Sequence, residues 1–156
     1  MNITAFLNRA YFTPRLKEIE QYTHRSAELQ QRVLQRLVGM AADTEWGRRY
    51  GYATIRNYQD FHDRLPVQTY EDIKGYVERM RQGEQGLLWP TEVKWFAKSS
   101  GTTNDKSKFL PVSHESLHDT HYRGGRDAVA IYLGQNPKSR FFSGKGLILG
   151  GSHSPN

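Results

Sequence analysis

The sequence predicts an α/β fold, in which an N-terminal helical segment is followed by the start of a sheet. Residues 1–86 are mainly helical in pattern, with apolar side chains at intervals of three, four or seven. Residues 87–156 follow the pattern strand, loop, helix, strand, because short apolar runs alternate there with turn residues. These runs supply too few strands for a complete sheet, so we expect the front part of a larger domain. A small α+β domain with a thin sheet is the alternative.

The first half of the chain carries one long apolar stripe. Its residues recur at helical spacing with charged and amide side chains between them, which predicts helix that packs against the core. Pro14 fits an early position in this helix, and the periodicity ends at residues 43–47. The stripe consists of Leu16, Ile19, Tyr22, Leu29, Val33, Leu37 and Met40.

Two shorter helices are predicted next. Residues 58–66 indicate a helix that Pro66 stops. Thr69 is a candidate N-cap for a second helix, which runs to about Arg81 and ends at Gly83 and Gly86.

The second half contains the predicted strands. Residues 92–97 alternate between polar and apolar side chains, and a short apolar run resumes at 109–112. Ser113 is a candidate N-cap for a helix that Gly124 and Gly125 weaken in the middle, and residues 145–150 predict a second buried strand. Three tryptophans are expected to lie in the core rather than to form a stacking platform: Trp46, Trp89 and Trp95.

The composition narrows the classes of function. The 156 residues include 22 Lys and Arg against 16 Asp and Glu, for a net charge of +6 with His neutral. Acids are interleaved with these bases, unlike the basic arm typical of nucleic-acid binding. No Cys is present, which excludes disulfides and Cys-ligated metals. The sequence shows neither an apolar run of membrane-spanning length nor a secretory signal, so we expect a cytoplasmic protein that binds neither nucleic acid nor a membrane.

A hydroxyl-rich, basic loop follows the first predicted strand, at residues 98–108. Its glycine permits close approach of the backbone, its hydroxyls can donate hydrogen bonds, and its lysines supply positive charge. A binding site for a polyphosphate needs these three features. The alternative is a flexible surface loop, which can have the same composition and bind no ligand. The loop lacks the glycines of a Walker A motif. The candidate binding residues are Ser99, Ser100, Gly101, Thr102, Thr103, Lys106 and Lys108.

This loop and its flanking motifs resemble a known enzyme family. Ser-Ser-Gly-Thr-Thr, a following Lys and an apolar-Pro pair are similar to the phosphate-binding loop of acyl-adenylate-forming enzymes. Thr-Glu-Trp-Gly-Arg-Arg-Tyr-Gly at 44–51, Leu-Pro-Val at 65–67, Tyr-Glu-Asp at 70–72 and Gly-Glu at 83–84 precede the loop. In this order the motifs resemble the Gretchen Hagen three family of acyl acid amido synthetases, in a bacterial-type version, over about residues 31–151.

The resemblance implies ATP-dependent activation of a carboxylic acid as an acyl-adenylate, followed by amide formation with an amine or amino acid. Residues 1–156 would be the N-terminal part of an adenylation (ATP-binding) domain, holding the start of that family's sheet. Lys108 would be the catalytic residue that stabilises charge on the β- and γ-phosphates, with Thr102 and Thr103 as hydroxyl donors and Mg²⁺ sharing that role. The family's adenine- and acid-binding motifs lie downstream, so we do not expect this chain to be active alone.

Two other functions stay open at this point. His114-Glu115-x-x-His118 matches a zinc-hydrolase motif, with His121 as a candidate third ligand on the same helix face. Glu115 also has a structural explanation, as an acid in the first turn of a helix. The other alternative is a non-catalytic remnant that binds an anion or a partner protein.

Overall fold

The computed structural model describes residues 3–99 and 107–147, which form a mostly helical structure with a small sheet. Contacts divide the chain into two units, one made of the residues up to Glu20 and from Arg126 onward, the other of residues 21–125. In chain order the elements are α1 (Ile3–His24), α2 (Ser26–Met40), α3 (Glu45–Arg49), a 3₁₀ turn (Tyr52–Thr54), α4 (Tyr58–Arg64), α5 (Tyr70–Arg81), β1 (Trp95–Lys98), β2 (Phe109–Val112), a π-helix (Ser116–Tyr122), α6 (Arg123–Gln135) and a second 3₁₀ turn (Phe141–Ser143).

In the first unit, a charged pair joins α1 to α6. The Arg15 guanidinium donates two hydrogen bonds to the Asp127 carboxylate, at 2.7 and 2.6 Å. Both side chains are largely buried, so this bidentate pair is screened less than a surface ion pair. Gly134 lets Leu16 pack closely against α6, because a Cβ at that position would lie 3.0 Å from Leu16 Cδ1.

α1 differs from the sequence prediction at Pro14. We expected this proline near the start of a helix, but α1 begins at Ile3 and continues through it. Because proline has no N–H, the helix lacks one backbone hydrogen bond at this position, yet the residues on both sides remain helical. The helix breaks instead at Arg25, where the backbone leaves helical geometry (φ −129°, ψ 29°) before α2.

The apolar stripe is only partly buried. Val33, Leu37 and Met40 on α2 are at least 36% exposed, and Tyr22 on α1 is 45% exposed, whereas α2 buries Val38, which is outside the stripe. The helical period is confirmed, but the prediction that the whole stripe lies in the core is wrong at these four positions. Spacing defines an apolar face and says nothing of which elements cover it. Within the described residues, no helix is both long and apolar enough to cross a membrane.

The predicted ends of α4 and α5 are confirmed. α4 ends at Arg64, shortly before Pro66. α5 begins after Thr69, whose N–H and hydroxyl donate to the Asp72 carboxylate at 2.7 and 2.6 Å. The hydroxyl and N–H of Thr69 hold the pKa of Asp72 below its usual range. Gly83 follows α5 with a φ of 99°, a left-handed conformation that favours glycine.

The core of the second unit is built on α5. Met80 of α5 packs with Leu87 and Val93 in a buried cluster. The Gln85 side-chain amide forms both hydrogen bonds that a neighbouring strand would form with Val93. Its oxygen accepts from the Val93 N–H at 2.9 Å, and its nitrogen donates to the Val93 carbonyl at 3.3 Å. These bonds close the segment after α5 on itself, and its packing against α5 comes from the contacts of Leu87 and Val93 with Met80.

Arg79 on α5 forms ion pairs with α3 and with the turn at residue 84. Its guanidinium donates to the Glu45 carboxylate at 2.7 and 3.0 Å and to Glu84 at 2.8 Å. Backbone bonds support the same junction, since the Glu45 N–H donates to the Gly86 carbonyl at 2.9 Å. These contacts set the position of the C-terminal end of α5.

β1 and β2 form a two-stranded antiparallel sheet, with Trp95 opposite Val112 and Lys98 opposite Phe109. β1 begins at Trp95 rather than at residue 92, and Trp95 is 63% exposed, so its expected place in the core is wrong. The reason is strand alternation: Phe96 packs against the buried cluster, which directs Trp95 to the opposite face. Trp46, in contrast, is buried as predicted.

The helix after β2 begins as predicted. The Ser113 hydroxyl accepts from the Ser116 N–H at 3.0 Å and so caps the first turn. Residues 116–122 then widen into a π-helix directly before Gly124 and Gly125, the predicted weak point. Residues 145–147 have no regular structure, so the strand predicted there is not seen, and its residues 148–150 lie outside the described residues.

Gly47 lies where α3 meets the end of α2. A Cβ on this residue would lie 1.9 Å from the Ala41 carbonyl oxygen, and the Gly47 N–H donates to the buried Thr44 hydroxyl at 2.9 Å. Gly47→Ala must therefore push α3 away from α2. We expect its free energy of unfolding, measured with urea, to fall by about 3 kcal/mol.

Gly75→Ala is the matched control, because Gly75 lies inside α5 and a Cβ there would have no atom within 4 Å. This variant should gain about 0.5–1 kcal/mol from the lower entropy of its unfolded chain. Equal stability of the Gly47→Ala and wild-type proteins would contradict the close approach of α3 to α2.

Candidate functional site

The candidate site is the end of the β1–β2 sheet at which the predicted phosphate loop begins and ends. The Ser99 N–H donates to the Lys108 carbonyl at 2.9 Å, and the Lys108 N–H donates to Ser99 Oγ at 3.1 Å. This pair extends the β1–β2 register by one residue, so it holds the two ends of the loop together. The other predicted binding residues lie outside the described residues: Ser100, Gly101, Thr102, Thr103 and Lys106.

These hydrogen bonds decide which groups of Ser99 and Lys108 can meet a ligand. Both backbone N–H groups are used within the hairpin, so neither can join an anion-binding nest of the kind that the composition of the loop suggests. The Ser99 hydroxyl accepts one bond and keeps its own hydrogen to donate. At these two positions, any ligand contact therefore comes from the Ser99 hydroxyl and the half-buried Lys108 side chain.

Tyr70, the first residue of α5, contacts the same end of the sheet. Its hydroxyl accepts from the Phe109 N–H at 3.1 Å and donates to the Phe109 carbonyl at 3.4 Å. The Lys108 Nζ lies 5.6 Å from the centre of the Tyr70 ring, within the range of a cation–π interaction. The sequence alone predicts no role for Tyr70, whose only signal is its place in the Tyr-Glu-Asp motif at 70–72.

Positive charge gathers around Phe109. The Arg81 guanidinium carbon lies 3.8 Å from the centre of the Phe109 ring, although Arg81 also pairs with Glu78 at 3.1 Å. Lys98 lies opposite Phe109 in the sheet, and Lys108 precedes it. Three cationic residues thus lie near one end of the hairpin, with Lys98 on the face of Phe109 and Lys108 on the opposite face, because side chains alternate along a strand.

A shallow pocket of about 210 Å³ in the same unit is a weaker candidate for an anion. Leu37 provides apolar surface, and its charged lining residues are Arg36, Glu115 and Asp119. Arg36 pairs with Asp119 at 2.9 Å, so the lining has one positive and two negative charges. This balance disfavours a triphosphate.

The structure gives no support to the zinc-hydrolase alternative. The Glu115 carboxylate accepts hydrogen bonds from Trp89 Nε1 at 2.8 Å and from the Thr91 hydroxyl at 2.9 Å, and the imidazoles of His114 and His118 stack 4.2 Å apart. In residues 3–99 and 107–147, no three His, Asp or Glu side chains are grouped to hold a metal ion. Glu115 instead joins the helix after β2 to the segment before β1.

The bonds to Glu115 predict a pH dependence of stability. Burial acts to raise the pKa of Glu115, but its hydrogen bonds, with that from Trp89 first among them, outweigh this effect and hold the pKa below its usual range. A carboxylate with a depressed folded-state pKa stabilises the fold above its unfolded pKa of about 4.3. That contribution is lost as the pH falls through the folded-state pKa.

Glu115→Gln keeps an acceptor oxygen and removes the charge. We expect it to lower the free energy of unfolding at pH 7, and the difference from the wild-type protein to shrink below about pH 4. Urea unfolding at a series of pH values measures this difference, with Glu92→Gln, an exposed acid that pairs with Lys94 at 3.0 Å, as the control. A Glu115→Gln effect independent of pH would show that the charge has no part in this anchor.

Comparison with known proteins identifies the family. The family model described as the GH3 family N-terminal domain matches residues 15–155. The chain therefore belongs to the GH3 family, the family that its motifs resemble.

Relatives that it matches include proteins named as amido synthetases or amino acid synthetases. The chain is 32% identical over 104 residues to the indole-3-acetic acid-amido synthetase GH3.6 of Arabidopsis thaliana, across 66% of this chain and 17% of the relative. It is 26% identical over 106 residues to the jasmonoyl–L-amino acid synthetase JAR6 of Nicotiana attenuata, across 67% of this chain and 18% of the relative.

A solved structure of a relative has the same fold. The acyl acid amido synthetase AtGH3.15, in complex with 2,4-DB, matches with a TM-score of 0.67 and 27% identity, over 76% of this chain and 21% of that chain. The predicted fold, a helical segment followed by the start of a sheet, is confirmed. The chain spans about a fifth of the length of these relatives.

Proposed function

We propose that this chain supplies the phosphate-binding part of an ATP-dependent acyl acid amido synthetase. In the first step a carboxylate oxygen attacks the α-phosphorus of ATP, and the bond to the departing pyrophosphate breaks. In the second step an amine or amino acid attacks the acyl carbon of the acyl-adenylate, AMP leaves, and the amine nitrogen loses a proton. The names of the relatives, which pair a carboxylic acid with an amide product, support this reaction class.

The observation that carries the proposal is the position of Lys108. Its backbone is paired with Ser99 at the base of the loop, and its ammonium group lies over the Tyr70 ring. In the proposal, Lys108 stabilises negative charge on the β- and γ-phosphates as pyrophosphate leaves, and the Ser99 hydroxyl donates to a phosphate oxygen.

The remaining predicted residues would complete this site. Gly101 would allow the backbone to approach the phosphates, Thr102 and Thr103 would donate from their hydroxyls, and Lys106 would add charge together with a donor from Ser100. Mg²⁺ would reach the site on the phosphate oxygens, because hard oxygen ligands suit it. Residues 1–156 would then be the N-terminal part of an adenylation domain whose acid- and amine-binding parts lie elsewhere in the full-length enzyme.

Lys108→Ala tests the proposal on this chain alone. We expect the variant to bind Mg·ATP about tenfold or more weakly than the wild-type chain, because a charge-assisted contact to phosphate is lost. Isothermal titration calorimetry measures the affinity, and tripolyphosphate should show the same loss because the contact is to the phosphate tail.

Lys94→Ala is the matched control, since it removes one positive charge next to the opposite end of β1. Its affinity should stay close to that of the wild-type chain. The proposal is wrong if the wild-type chain does not bind tripolyphosphate, or if Lys108→Ala and Lys94→Ala have equal effects. AMP binding as tight as ATP binding would place recognition on the nucleoside instead.

A further inference from the structure

We propose that Tyr70 is a positioning residue for Lys108, so that α5 determines where the lysine charge meets a phosphate chain. The inference rests on the proposed function, in which Lys108 binds the phosphates. It concerns a residue that would not touch the ligand itself and that acts through the backbone of Phe109 and the ammonium group of Lys108.

The hydrogen-bond pattern of the sheet directs the backbone of Phe109 toward Tyr70. Ser99 and Lys108 form a hydrogen-bonded pair, so the neighbouring pair, Lys98 with Phe109, is a non-hydrogen-bonded one. The N–H and carbonyl of Phe109 therefore point away from β1, toward the open edge of β2. The Tyr70 hydroxyl meets both groups, at 3.1 and 3.4 Å, and does there what a third strand would do.

The Tyr70 ring also restricts the Lys108 side chain. A lysine at a loop stem has many rotamers, and binding a ligand requires that most of them be given up. The Tyr70 ring lies 5.6 Å from Nζ and favours rotamers that keep the ammonium group over its face. The Lys108 side chain then loses less conformational entropy when a phosphate binds. This smaller loss strengthens binding without adding a contact.

Tyr70 is itself held in place by contacts at both ends of its helix. It is the first residue of α5, directly after the Thr69–Asp72 cap. The other end of α5 is fixed by Arg79 and its two carboxylate partners. A rigid helix thus presents the phenol, as precise positioning of a charged group requires.

Hydroxyl removal tests the inference. Tyr70→Phe keeps the ring and loses both backbone contacts, and we expect it to bind tripolyphosphate about fivefold more weakly than the wild-type chain. Tyr70→Leu also loses the ring and should bind more weakly still. Tyr76→Phe is the matched control on the same helix, because its hydroxyl accepts from Arg49 at 3.1 Å, away from the hairpin. Calorimetry is done under conditions in which urea unfolding shows each variant to be folded.

A double-mutant cycle separates positioning from general stabilisation. If Tyr70 acts through Lys108, Tyr70→Phe should cause no further loss of affinity in the Lys108→Ala background. Equal losses in both backgrounds would overturn the inference, as would wild-type affinity of Tyr70→Phe in a chain that depends on Lys108. Failure of the wild-type chain to bind tripolyphosphate, or an unchanged Lys108→Ala variant, would contradict the proposed function, and the inference with it.

Discussion

The backbone pairing of Ser99 with Lys108 is the constraint on which the candidate site depends. Because the two residues extend the antiparallel sheet by one step, the ends of the predicted phosphate loop are brought within hydrogen-bond distance of each other. The same pairing uses both of their N–H groups and leaves side chains as their means of binding a ligand. It also fixes the direction in which Phe109 presents its backbone to α5.

α5 connects this hairpin to the rest of its unit. Its first residue, Tyr70, contacts the start of β2, while Met80 near its end belongs to the buried cluster. Arg79 binds Glu45 and Glu84, so the same helix is tied to α3. One helix therefore connects the buried cluster to the candidate site. This helix has a defined cap at its start and ion pairs at its end, so the packing of α5 also sets the geometry of the site.

Local sequence signals predicted the starts of α5 and of the helix after β2, because caps are made by residues that are close in the chain, whereas Pro14 did not mark the start of α1. Thr69 and Ser113 lie three residues from the groups that they bind. Three other features depend on contacts between residues that are far apart in the chain. Tyr70 is 39 residues from Phe109, and no spacing rule links the two. Glu115 matches a metal-site pattern, but its carboxylate instead accepts a hydrogen bond from Trp89, which is 26 residues away in the chain. The exposure of Trp95 likewise depends on which face of a two-stranded sheet is covered.

Amide chemical-shift mapping of the ¹⁵N-labelled chain during a titration with Mg·ATP tests the central claim most directly. We expect saturable shifts at the amides of Ser99, Lys108 and Phe109, since a phosphate held by the Lys108 side chain alters the hairpin end. The contrary result would be saturable shifts confined to another cationic surface, such as Arg49, which lies over Trp46 and Tyr50, with the hairpin amides unmoved. That outcome would place anion binding elsewhere on the chain.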